Sequence, residues 1–179
     1  MRFSVLPFAV LAFAATSPVA AQDKPKPAGD AAPMMVVDRS TFVSVVSSSN
    51  EFEIKSSELA LQKAQTDDLK KAAEMIIADH KKAGEKLTVL LEAKNAPLPS
   101  PIVLAPKHQK MLDQLQAASG KDFDTLYLDM QAQAHMEAVG LFRTYAGSGD
   151  DQSVVGFAKE TLPSLETHMA HVKMLIAVR

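Results

Sequence analysis

The chain contains no cysteine. Disulfides, thiolate metal sites and cysteine nucleophiles are thereby excluded, and so is a lipoprotein anchor. Neither sign of charge is in clear excess, with 19 basic and 21 acidic residues among 179. No basic stripe is present, which argues against a nucleic-acid partner. Beyond the first residues no apolar run is long enough to span a bilayer. No segment alternates as a strand does, and no internal repeat is evident. The glycines of "GSGD" at Gly147–Asp150 do not follow a strand, so they make no phosphate cradle. No nucleophile motif is found.

What is present begins with "MRFSVLPFAVLAFAATSPVAAQ". Arg2 supplies a positive start, an apolar run covers Val5 to Ala15, and small residues stand at Val19 and Ala21 before Gln22. This is the pattern of a cleavable secretory signal. "QDKPKPAGDAAP" follows, too poor in apolar surface to offset its ordering entropy. The expected organisation is a signal peptide at 1–21, a flexible linker at 22–38 and a helical domain at 39–179. In a Gram-negative cell the mature protein is then periplasmic or released.

The domain reads as all-α. A first helix carries Phe42, Val45 or Val46, Ser49, Phe52 or Glu53, Ser56 and Leu59 or Ala60 at helical spacing. Its N-cap is expected at Ser40 or Thr41. Its serine-rich middle lowers helix propensity, so packing must hold it. A second helix opens with Thr66 as N-cap and Asp67 and Asp68 in the first turn, both suited to the positive end of the helix dipole. Its seam is Leu69, Ala73, Ile76, His80, Ala83, Leu87 and Leu90. "NAPLPSPIVLAP" interrupts helix with prolines. A short helix over "KHQKMLDQLQAAS" is stopped by Gly120. Two more long helices follow, separated by "GSGD", and the last contains Pro163, which should kink or bulge it. Short turns make each pair of long helices antiparallel neighbours. The long Asn95–Gly120 connection between the pairs points to a ferritin-like four-helix bundle whose crossover carries the short extra helix.

His80 stands in an otherwise apolar seam. It lies 14 residues past Thr66, and Glu53 lies 13 before it, so at about 1.5 Å per residue the two are expected level with each other. The second pair offers His135 and His168. His135 precedes the Gly149 turn by about 13 residues and His168 follows it by about 19, a mismatch of roughly 6–9 Å. Each long helix thus contributes one candidate ligand: Glu53, His80, His135 and His168. Imidazole and carboxylate suit Zn, Fe, Cu or Ni, and bundles build metal centres between facing helices. Met75, Met130, Met136, Met169 and Met174 lie near the histidines, although methionine at helical spacing usually fills core.

A di-iron centre needs Glu-x-x-His on two helices. Here Ile77, Ala132 and Leu165 stand three residues before the histidines, so ferroxidase chemistry is not expected and no catalytic residue is assigned. A second reading keeps the same residues as core hydrogen-bonding partners, with Glu53–His80 a buried pair that fixes helix register. It makes the protein a structural or interaction component of the cell envelope. His108 and His171 read as solvent-facing, and Asp79 as part of a solvated face. Self-association is compatible with either reading.

The order Asn-x-x-Glu-Ile, Asp-His, Phe-Asp-x-x-Tyr, His and Leu-Pro-x-x-x-x-His runs through "NEFEI", "ADH", "FDTLY", "QAHMEAV" and "LPSLETH". In these the chain resembles an exported bacterial family, the ferritin-like domain of unknown function numbered four-one-four-two, whose members are often labelled predicted outer membrane proteins. The resemblance covers nearly all of Phe42 to Leu175. It implies a ferritin-like bundle and no established activity. Carried over residue by residue, it points again at Glu53, His80, His135 and His168.

Overall fold

Asp38 opens the first helix. Its carboxylate accepts the Thr41 backbone N–H at 2.8 Å and the Thr41 hydroxyl at 3.1 Å. The cap therefore lies two residues before the expected Ser40, because a carboxylate takes both donors where a single hydroxyl would not. The computed structural model describes residues 37–179; the expected signal peptide and all but the last two residues of the expected linker lie outside the described residues. The elements are α1 (Arg39–Lys63), α2 (Asp67–Glu92), α3 (Pro106–Ala117), α4 (Gly120–Ser148) and α5 (Gln152–Val178). No strand occurs among the described residues. Thr66 caps α2 as its sequence predicts, accepting from the Leu69 N–H at 3.3 Å. α5 continues through Pro163. Pro163 is exposed, so the carbonyl it leaves unpaired can turn to water.

Two contacts fix the course of the crossover. Ser48 of α1 meets His108 near the start of α3 at 2.7 Å, and the Lys63 ammonium at the end of α1 donates to the last carbonyls of α3, among them Ala118 O at 3.0 Å. α3 therefore runs along the flank of α1, parallel to it, and does not cap one end. The Gln65 N–H donates to the Asp124 carboxylate at 3.1 Å, so α4 starts at the same end of the bundle as α2. α1 packs on α2 and α4, and α5 packs on α2 and α4. The result is a four-helix bundle with one long crossover between its second and third long helices.

The serines of α1 have a packing reason. Ser47, Ser48, Ser56 and Ser57 are buried, and their small side chains let α3 and α4 approach closely. Ser48 gives its hydroxyl proton to His108 Nδ1 and accepts the Ala105 N–H at 2.7 Å. Ser57 bonds Tyr127 Oη at 2.9 Å and Ser56 accepts from Gln131 Nε2 at 3.0 Å. His108 is consequently buried, stacked on Phe52, and not solvent-facing as expected. Nothing in its own helix signals this, because its partners come from α1.

The apolar core falls into two clusters. One is built around Phe52, Ile76, Leu115 and Tyr127, the other around Phe42, Leu91, Phe142 and Val154. Between them lies a polar layer to which every long helix contributes: Glu53, His80, Gln131, His135 and His168, all buried. Fully burying a leucine or phenylalanine contributes about 1.5–3 kcal/mol. A layer of imidazoles and a carboxyl in the centre of a core forgoes that gain.

Candidate metal centre

Three histidines converge in this layer: His80 from α2, His135 from α4 and His168 from α5. Their rings form a nearly equilateral triangle, with centroids 5.6, 5.6 and 5.3 Å apart. One nitrogen of each ring lies within 4.8 Å of the corresponding nitrogen on the other two. All three residues are buried, at 6%, 1% and 1% exposure.

The hydrogen bonds at the outer edges set the tautomers. His135 Nδ1 donates to the Gln131 carbonyl one helical turn back, at 3.0 Å. His168 Nε2 donates to Asp79 Oδ2 at 2.8 Å. His80 Nδ1 donates to Asn50 Oδ1 at 3.1 Å. The second nitrogen of each ring is thereby left to face the other histidines. His135 Nε2 faces His168 Nδ1 at 3.3 Å, and two facing lone pairs at this distance repel unless a cation, a proton or a metal ion, lies between them. His80 Nε2 is buried with no hydrogen-bond partner. One proton shared by His135 and His168 would leave it unsatisfied.

Burial disfavours the charged form of His80 and His135. It pushes the His80 imidazole well below its usual range, with the neighbouring His135 and His168 adding to the effect. It lowers His135 to about 4, against the opposing pull of the Gln131 carbonyl. Burial acts on Glu53 in the other sense and raises it to about 8, with the Gln131 side chain pulling slightly back. Glu53 is thus a carboxylic acid at neutral pH when no cation is near.

Glu53 is not level with His80. Its Oε1 lies 3.7 Å from His135 Nδ1, behind that ring and away from the inward nitrogens, while His80 pairs with Asn50. The level partner is found by counting from the observed helix ends. His80 is 13 residues into α2 from Asp67, and Asn50 is 13 back from Lys63 in α1. The expected gap between His135 and His168 also shrinks on that count. They stand 13 residues before Ser148 and 16 after Gln152, a difference of about 4.5 Å, which helix tilt and side-chain reach absorb. Asp79, expected on a solvated face, is 43% exposed and yet receives the His168 proton. It precedes His80 by one step of about 100° around α2 and so points toward α5.

The layer has a closed and an open side. His135 and Glu53 are walled in by α1 and α4. Asn50, Asp79, His80 and His168 line a cavity of about 660 Å³ that continues between the helices. Among the described residues no helix is long and apolar enough to cross a membrane.

A family model described as "Domain of unknown function (DUF4142)" matches residues 24–175. No curated protein matches the sequence. Among solved structures, "CopM in the Cu(II)-bound form" is similar, with a TM-score of 0.67 and 21% identity, covering 79% of this chain and 97% of that one. That likeness is one of fold.

Proposed function

The chain belongs to the DUF4142 family, which carries no assigned activity, and we propose that it is an exported metal-binding protein that holds one transition-metal ion on His80, His135 and His168. The observation that carries the proposal is the convergence of three buried imidazoles, one nitrogen of each within 4.8 Å of the others, with His80 Nε2 left without a partner. Each outer nitrogen already donates to a carbonyl or carboxylate oxygen, the arrangement that fixes tautomer and orientation in histidine metal sites. Two nitrogens bound at about 2.0–2.1 Å to a tetrahedral ion stand about 3.3 Å apart, and His135 Nε2 and His168 Nδ1 are 3.3 Å apart. Only His80 must move inward. In this reading Glu53 serves as countercharge behind His135, losing its proton when the ion arrives, and Asp79 balances charge through His168.

Copper(II) is the first candidate, with zinc next. Neutral imidazoles suit both, and divalent affinity rises toward copper. The solved protein of similar fold is in a Cu(II)-bound form. Export rests on the sequence pattern at 1–21. Metal content of tag-free protein, measured by mass spectrometry after equilibration with Cu(II) or Zn(II), tests the centre. One equivalent is expected for the native chain and none for His80→Leu, which keeps the volume and removes the donor. Equal metal in both would refute the assignment.

The alternative, that the histidines only fix helix register, draws on the fact that each has one good partner. It leaves His80 Nε2 without a partner.

A further inference from the structure

Resting on that metal centre, we infer that the ion keeps one coordination position open toward the 660 Å³ cavity, and that this cavity takes a small organic molecule with one neutral donor atom and an apolar body. Three protein ligands with a fourth position free is the arrangement of zinc sites that bind exogenous ligands; structural sites are closed by four. Here the closed side of the centre is His135 and Glu53, neither of which borders the cavity, whereas His80 and His168 do. The unpartnered, nine-tenths-buried His80 Nε2 belongs to a cavity-lining ring. A second buried polar atom with no partner, the Ser47 hydroxyl oxygen, also lines it.

The chemistry of the walls selects the ligand. Val46, Leu87, Phe142, Phe157 and Leu165 make the interior apolar and partly aromatic. The volume is that of a small-molecule pocket of about 300–1,000 Å³. The charged residues that line it are Glu51, Asp79, Glu85, Glu92 and Glu137 against Lys81 alone. Five carboxylates to one ammonium draw cations in and repel anions. A carboxylate-headed ligand would find, besides the metal, only the Lys81 ammonium, already paired with Glu58 at 3.2 Å, and would pass a mostly negative lining to reach the metal. A neutral heterocyclic nitrogen meets neither obstacle.

The test uses the full mature chain loaded with one equivalent of Cu(II), its metal content confirmed first. Imidazole, 4-phenylimidazole and benzoate are titrated while the copper d–d band and electron paramagnetic resonance spectrum are followed. Both imidazoles should perturb the copper, and 4-phenylimidazole should bind at least about tenfold more tightly, because its ring enters the apolar cavity. Benzoate should leave the spectrum unchanged. Ala138→Phe and Thr161→Phe fill the cavity from α4 and α5, and each should remove the phenyl advantage while copper stoichiometry stays at one. Loaded copper that answers to neither imidazole would show a closed site and overturn the inference. Equal affinity for the two imidazoles, or benzoate binding as well as 4-phenylimidazole, would overturn the ligand class. A native protein that takes up no metal would overturn the centre itself, and is told apart by the metal assay that precedes the titration.

Discussion

Replacing Glu53 by glutamine should stabilise the metal-free protein, and should do so more strongly as pH rises. Glu53 is fully buried and its carboxyl is raised to about 8 from 4.5. A folded-state pKa above the unfolded value means that the fold favours the protonated form. The stability this group leaves intact is complete below about pH 4.5 and is lost as pH climbs toward 8. At pH 7 the unfolded chain has released the proton and the folded chain has kept it, which costs about 3 kcal/mol at 1.36 kcal/mol per pH unit. At pH 5 the same arithmetic leaves about 1 kcal/mol. Glutamine has nearly the same shape and no proton to lose. For a domain of this size, about 3 kcal/mol corresponds to roughly 6–12 °C in Tm. Thermal unfolding followed by circular dichroism, in chelator-treated buffers from pH 5 to pH 7.5, reads the gap between the two proteins. The gap should widen steadily with pH. A constant gap, or one that narrows, would refute the placement of a neutral carboxyl in the core. Adding one equivalent of Cu(II) should shrink the advantage at pH 7, because the ion ionises Glu53 and glutamine cannot supply the countercharge.

Further outcomes follow from the same layer and its supports. Burial lowers His135 to about 4, so its contribution to metal-free stability is present above about pH 6.5 and lost as pH falls toward 4, by about 3 kcal/mol in all; His135→Leu should lack that acid limb in a pH series of urea midpoints. Ser48→Ala leaves the Ala105 N–H and His108 Nδ1 without their partner and should cost about 1–3 kcal/mol, read as a lower Tm; an unchanged Tm would show the contact to be dispensable. Lys63→Met removes the donor to the Leu115, Gln116 and Ala118 carbonyls. Amide exchange in the residues of α3 and its C-terminal turn should then quicken relative to α2 and α5, and uniform protection across all five helices would count against the cap.

The all-helical bundle and its long crossover are legible in the sequence because they rest on local signals. Thr66 with Asp67 and Asp68 marks a helix start, the prolines from Pro97 to Pro106 mark an interruption, and the α2 seam has clean helical spacing. The polar layer is legible as one ionisable residue per helix. Its pairing is not, because level depends on where each helix ends. An error of two or three residues at the α1–α2 turn exchanges Asn50 for Glu53 as the partner of His80. His108 and Asp79 read as solvated on their own helix faces, and only the tertiary approach of α1 and α5 gives them buried partners. Tautomers are likewise beyond the sequence. They depend on which ring nitrogen meets an acceptor, and that is what turns three histidines into three convergent lone pairs.

Anomalous scattering at the copper absorption edge, from crystals of the tag-free mature protein grown with one equivalent of Cu(II), tests the central claim most directly. One strong peak is expected inside the bundle, about 2.0 Å from His80 Nε2, His135 Nε2 and His168 Nδ1, with Glu53 behind His135 and out of bonding reach. A peak confined to surface residues, or no ordered copper in the layer, would contradict it.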